Sequence, residues 1–485
     1  MLFNSFEFAL FFPIVTLLYF LLSTRMRVPM LLAASCGFYM AFVPKYILIL
    51  LFLILFDFMA GILIENASGR RRKLILIASL CANIGMLGFF KYFNFFNANF
   101  AELARLIGWH YPIASLQIIL PIGLSFHTFQ SMSYTIEVYR GRFKAERSLL
   151  YFALYVMFYP QLVAGPIERP QNLLHQFRED HRFEWSRFIS GLQLMATGLF
   201  KKIIIADRVA LLVNAVYAQP DHYSGLQLLL ATWFFAIQIY CDFSGYTEIA
   251  RGAARIMGIE LMVNFNAPYL ALSIVDFWRR WHISLSTWFR DYLYFPLGGN
   301  RCPLPRVCFN LAVVFLISGI WHGANWNFLF WGALHGLFFI AYVTTARLRA
   351  NSAPAFDWLG DPVRKALSWL LTFNLVGVTW VFFRAANLPD ALLILRHIFT
   401  GFVPPDAIPD FHPGLDATQF TIALTLILGL FFVEILGQTK TAWTRIDEKP
   451  RWLRWSAYYA FAVAFIVFLL LNPVHKPQAF IYFQF

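Results

Sequence analysis

The sequence predicts an all-α polytopic membrane protein, and three observations lead there. Of its 485 residues, 59% are hydrophobic and 13% charged, about half the charge of a soluble globular chain. Mean hydropathy is +0.60. Aromatic residues make up 19% of the chain, including 55 Phe, 21 Tyr and 15 Trp. Phenylalanine suits a hydrocarbon interior, whereas Tyr and Trp favour its two interfaces.

Apolar runs cover about 6–23, 28–43, 46–65, 74–93, 112–138 and 148–165. Further runs cover about 188–217, 225–241, 307–321, 326–345, 366–383, 418–437 and 457–472. A full crossing takes about twenty residues, so the shorter runs are marginal, and about eleven crossings plus re-entrant or interfacial pieces are expected. One integral-membrane domain over 1–485 fits better than the three soluble domains that length alone would suggest. The first run lacks a basic flank and a small-residue cleavage site, and reads as a retained helix. The segments 350–363 and 401–416, the latter with Pro404, Pro405, Pro409 and Pro413, read as loops outside the membrane.

Basic residues cluster between the early runs: Arg25 and Arg27, then Arg70 to Lys73, then Arg140, Arg142, Lys144 and Arg147. Placing all three loops in the cytoplasm is self-consistent and leaves the N-terminus outside. The net charge of +13 therefore reads as loop charge facing lipid headgroups, not as a nucleic-acid surface. Five cysteines, with no CxxC, give neither a disulfide framework nor a zinc site. HExxH, P-loop, GxGxxG and GxSxG patterns are absent, so no metal or permanently bound cofactor is expected.

Chemistry concentrates in two stretches. Trp321-His322-Gly323-Ala324-Asn325-Trp326 sets an imidazole between indoles, and an ionisable side chain at membrane depth marks a site by default. Asp276 to Asp291 contains Trp278, Arg279, Arg280, Trp281 and His282. It reads either as an amphipathic helix lying in the interface or as a helix bordering a buried chamber, with His282 turned inward. An imidazole in a water-poor cavity could deprotonate a hydroxyl for attack on an acyl thioester, or carry the acyl group itself. Asp242 and Ser244 follow an apolar run, where proton relay and helix capping are equal alternatives. His335 would fall about 220° around a shared helix from His322, and His127 reads as a packing residue.

The run DFWRRWHISLSTWFRDYLYFPLGGNR at 276–301, GIWHGANW at 319–326 and WGALHG at 331–336 resemble the membrane-bound O-acyltransferase family. LPIGLSF at 120–126, AGPIERP at 164–170, FSGYTEIARG at 243–252, GVTWVFFRA at 377–385 and the closing FIYFQF fit as well. Within that family the likeness is to proteins of bacterial alginate O-acetylation. The resemblance implies a ring of tilted helices around a central tunnel, with His322 as the essential histidine and His282 at a second polar position, often His or Asn. It also implies an acyl thioester donor on the cytoplasmic side, such as acetyl-CoA or a carrier protein. A separate SGNH-type acetyltransferase would serve as partner, an exported polysaccharide as acceptor, and the bacterial inner membrane as location. Trp321, Trp326, Trp281, Arg279, Asp242 and Ser244 then become candidates to line the path, and Asn325 could orient the imidazole or donate to an oxyanion. Peptidoglycan O-acetylation and teichoic-acid D-alanylation are alternatives in the same class. A transporter or a non-catalytic membrane scaffold is the alternative from another class.

Overall fold

A computed structural model of the chain describes residues 1–116, 121–348, 360–401, 403, 408, 411–438, 441–474, 478 and 480–483. Twenty α-helices and no strand occur among them. Most of the 350–363 loop, and Pro404, Pro405 and Pro409 of the second loop, lie outside the described residues. Eight helices among those described are long and apolar enough to cross a membrane. The chain divides into two compact units, Met1–Met195 with Thr247–Val263 and Gly323–Asn325, and Ala196–Tyr246 with Asn264–His322 and Trp326–Phe485.

In the first unit, α1 (Phe6–Leu21) is capped by Ser5, whose hydroxyl accepts from the Phe8 amide. It packs on α2 (Thr24–Met40) through Phe8 and Phe38. The helices α3 (Ile47–Asn66) and α4 (Gly69–Leu87) follow, and α4 runs through a π-helical turn into α5 (Phe93–Leu106). Among the described residues of the run expected over 112–138, the helix is α6 (Leu124–Tyr139), entered from Gly123 at φ 76. Pro121 and a left-handed glycine stop the helix from extending upstream. The helices α3, α4 and α6 meet around a buried carboxylate, Asp57, which accepts from the Ser79 hydroxyl at 2.7 Å and from Asn83 Nδ2 at 2.8 Å. Without water nearby, a side chain of this kind is tolerable only when such donors replace its hydration.

The next run is shortened further. Only α7 (Leu149–Met157) is helical, and residues 158–169 form buried turns. Nine helical residues rise about 14 Å, too little for a crossing. Beyond the turns lie the short α8 (Pro170–Leu173) and α9 (Trp185–Leu199). Glu168 closes the turn region: its carboxylate accepts from the Asn172 amide and the Met262 backbone, both at 2.6 Å. Burial outweighs those donors and lifts its pKa to about 7. Basic residues of this unit meet acidic partners: Arg27 meets Asp180, Arg147 meets Glu65, and Arg178 meets Glu146. Arg72 donates to the Val138 carbonyl at the end of α6.

The second unit takes up α9 at Ala196 and passes through a π-helical stretch, Phe200–Ala206, into α10 (Asp207–Ala218). The run expected at 225–241 continues as α11 (Gly225–Ile256), whose last residues belong to the first unit. The polar stretch breaks into α12 (Ile274–Arg280) and α13 (Ile283–Phe289). An apolar pair follows, α14 (Leu304–His322) and α15 (Trp326–Leu348). These two approach closely at glycines: a Cβ on Gly319 would stand 2.3 Å from the Phe328 carbonyl, and one on Gly332 2.4 Å from that of Phe315. Small residues are what let apolar helices meet this tightly in lipid. The unit ends with α16 (Asp361–Arg384), α17 (Leu388–Thr400), α18 (Ala417–Leu436), α19 (Ala442–Asp447) and α20 (Arg451–Leu470). Of these, α17 was not anticipated from hydropathy.

Candidate active site

His282 sits at the break between α12 and α13, with φ 43 and ψ 55. A non-glycine residue in the left-handed region is uncommon, and His is among the few types enriched there. Ser273 caps α12 by accepting from the Asp276 amide, and the chain turns at Trp281. The turn carries the imidazole inward, and His282 has no solvent-exposed surface. His282 is therefore turned inward and does not face an interface. Phe277, Trp278, Trp281, Leu285 and Trp288 are buried with it, while Arg279 and Arg290 are exposed.

Asn264 fixes the histidine. Its side-chain oxygen accepts from the Ser284 amide at 3.1 Å and the Ser284 hydroxyl at 2.9 Å. A backbone N–H can only donate, so that atom is the oxygen. His282 Nδ1, 3.2 Å from the same oxygen, is therefore the protonated nitrogen. In a neutral imidazole with its proton on Nδ1, Nε2 is the lone-pair nitrogen.

His322 is the last residue of α14 and is 5% exposed. Its ring neighbours are Trp321 at 4.9 Å, Trp331 at 4.8 Å, Phe383 at 5.5 Å and Tyr482 at 5.8 Å. Two aromatic paths join the histidines, which lie forty positions apart in sequence. Trp321 lies 6.3 Å from the His282 ring. On the other path Phe243 of α11 lies 4.7 Å from His282 and 4.5 Å from Tyr482.

The remaining candidates separate. Trp321 and Trp281 are buried, whereas Asn325 and Trp326 are exposed, Trp326 by 47%. Trp281 packs among Tyr240, Phe265, Phe277 and Trp380. Asp242 and Ser244 lie in the middle of α11, so neither caps a helix. The reason is local: the helix hydrogen bonding that hydropathy ended near 241 continues for another four turns. Asp242 instead pairs with Lys202 at 2.9 Å. His335 does not share a helix with His322, because α14 ends at His322 and α15 begins at Trp326. It is a bridging residue: Nδ1 accepts from the Trp278 indole at 3.3 Å, and Nε2 donates to the Thr379 hydroxyl at 2.9 Å, which itself donates to the Val376 carbonyl.

Two residues of this cluster escaped sequence reasoning. The Tyr482 hydroxyl and the Trp331 indole N–H are buried without a hydrogen-bond partner among the described residues. Tyr482 was quoted within the closing motif but given no role, and no local signal could place it 160 positions from His322. Among the described residues, no group of three His, Cys, Asp or Glu side chains gathers as metal ligands, and all five cysteines are free.

His282 and His322 are thus buried in one aromatic cluster of a helical membrane protein. Comparison with known proteins gives the class. Residues 142–380 match the model of the membrane-bound O-acyltransferase family, and the chain belongs to that family: it is a multi-pass membrane acyltransferase. It is 36% identical to the peptidoglycan O-acetyltransferase of Helicobacter pylori, over 87% of this chain and 83% of that one. It is 39% identical to the "probable alginate O-acetylase AlgI" of Pseudomonas aeruginosa, over 81% and 73% respectively. A more distant relative is the teichoic acid D-alanyltransferase of Bacillus subtilis, 29% identical over 48% of this chain and 61% of that one.

Proposed function

We propose that this protein O-acetylates an exported polysaccharide, taking acetyl groups from a cytoplasmic thioester and passing them across the bacterial inner membrane. The observation that carries the reading is the enclosure of His282 and His322 in one aromatic cluster. Alginate-type acceptors are supported by the similarity to AlgI, and about eleven crossings ringed around a tunnel would provide the path. Helices that fall short of a full apolar span would have to complete that ring.

In this reading His322 removes the proton of an acceptor hydroxyl as its oxygen attacks the thioester carbon. The C–S bond breaks, and the thiolate leaves with the proton that the imidazole held. Holding hydroxyl and thioester together accounts for much of the rate. Trp321 excludes water, and His282 presents Nε2 to the same enclosure. Acetyl-CoA or an acyl carrier is the donor, and an SGNH-type acetyltransferase on the far side completes delivery to the polymer.

A second reading, peptidoglycan O-acetylation, is favoured by the relative that spans 87% of this chain. Purified protein in liposomes, supplied with radiolabelled acetyl-CoA inside and a polysaccharide acceptor plus partner outside, tests the enzyme. Wild type is expected to transfer label and His322→Ala to transfer none. Equal rates from the two would sink the assignment. Offering alginate and peptidoglycan fragments in parallel separates the acceptors.

A further inference from the structure

Lys202, Asp207 and Asp242 form a charge cluster that the chemistry above does not use. Lys202 comes from the π-helical stretch between α9 and α10, Asp207 from the start of α10, and Asp242 from the middle of α11. The Lys202 ammonium lies 2.9 Å from both carboxylates, and each of the three side chains is at most 5% exposed. A buried ion cluster costs hydration and is weak evidence of stabilisation alone. Its second set of contacts gives it a purpose.

One of the carboxylates also reaches the carboxy-terminal segment: Asp242 Oδ2 accepts from the Ile481 N–H at 2.9 Å. The chain leading to it is fastened nearby: Arg208 donates to the Leu471 carbonyl at 3.1 Å, and Asn472 to the Ile203 carbonyl at 3.0 Å. The residue after Ile481 is Tyr482, whose ring packs on His322 and on Phe243. Residues 242 and 243 are thus adjacent on α11, one holding the segment and the other touching both Tyr482 and His282.

We infer that Lys202, Asp207 and Asp242 are positioning residues: a clamp in which Asp242, braced by Lys202 and Asp207, holds Ile481 so that Tyr482 closes the wall of the histidine site. Lysine balances one carboxylate charge and keeps Asp242 pointed at the Ile481 amide. The inference rests on the proposed acyl-transfer reading for its effect on rate, though not for its effect on the segment.

Two variants isolate the clamp. Asp242→Asn and Asp242→Leu are both neutral and both leave the Lys202–Asp207 pair intact. Asparagine retains an oxygen for the Ile481 N–H, and leucine does not. Full-length protein in detergent is followed by hydrogen–deuterium exchange of the peptide covering 478–483, and by acetyl transfer in liposomes. Asp242→Asn is expected to keep wild-type protection and a turnover within about threefold of wild type. Asp242→Leu is expected to exchange this peptide at least tenfold faster and to lose about twentyfold in kcat, with KM for the donor unchanged. Ile481→Pro, which removes the donor and leaves the buried charges alone, should reproduce the leucine variant and serves if that variant fails to fold. Identical behaviour of the asparagine and leucine variants in exchange overturns the clamp. Faster exchange with unchanged kcat overturns its role in positioning. If wild type transfers no acetyl group, the functional reading fails, and the exchange contrast alone decides whether the segment is held.

Discussion

His322 and His335 share one neighbour: the Trp331 ring lies 4.8 Å from each imidazole, edge-on to both. The two histidines nonetheless differ in kind. Both nitrogens of His335 are engaged, to Trp278 and Thr379, as in a packing residue. His322 closes α14 within the cluster that also holds His282.

That difference predicts a separation of effects. His335→Ala leaves the Trp278 indole and the Thr379 hydroxyl without their partner and opens a cavity, costing about 2–4 kcal/mol. His322→Ala is expected to change the thermal midpoint little and to lower acetyl transfer by at least about a hundredfold. Thermal unfolding in detergent and a transfer assay on both variants check this. A His322 variant as unstable as the His335 variant would argue for a structural role.

Asn264 sets the tautomer of His282 through one oxygen shared with Ser284. Asn264→Leu keeps the branched outline and removes that oxygen, which frees the ring to rotate and to exchange tautomers. A fall in kcat of about tenfold to a hundredfold is expected, by analogy with orienting partners elsewhere, with KM for the thioester unchanged. A rise in KM alone would assign Asn264 to donor binding.

Glu168 makes stability depend on pH. Its folded pKa of about 7 lies above the ordinary 4.5, so the folded state holds a proton that the unfolded state releases. Its contribution is fully present below about pH 4.5 and is lost as pH rises through 7. The difference is of the order of 3 kcal/mol. Wild type should therefore melt at a higher temperature at pH 5.5 than at pH 8, and Glu168→Gln should lack that component. Equal pH slopes in the two proteins would remove Glu168 as the cause.

The contact between α14 and α15 leaves no room for a methyl group. Gly319→Ala would force the helices apart by shifting backbone, not a side chain, and should cost about 3 kcal/mol or more. Because His322 lies three residues on, activity should fall as well. Gly377→Ala, where a Cβ meets nothing within 4 Å, is the neutral control, and expression level with thermal midpoint reads both.

Much of this was legible in the sequence. Composition gave the membrane class, and the blocks around 276–301 and 319–326 gave the family and the histidine pair. What failed was mostly a matter of length and direction. Hydropathy drew an apolar run over 148–165, whose end at Gly165-Pro166 the sequence marks as a break, but it did not show that the helix stops after nine residues, ahead of Pro160. It ended the run that opens α11 at 241, because Asp242 looks like an interruption when its partner Lys202 is forty residues away. Tyr482 and the clamp that holds its segment depend on contacts far apart in sequence, 239 positions for Ile481 on Asp242, and no local pattern encodes those.

The left-handed turn at residue 282 limits the alphabet available there. Before any chemistry is selected, the backbone admits glycine readily and otherwise favours asparagine, aspartate and histidine. Only a side chain from this short set can both make the corner and place a nitrogen or oxygen among the surrounding aromatic rings. Substitution there samples reactivity within a choice that the fold has already narrowed.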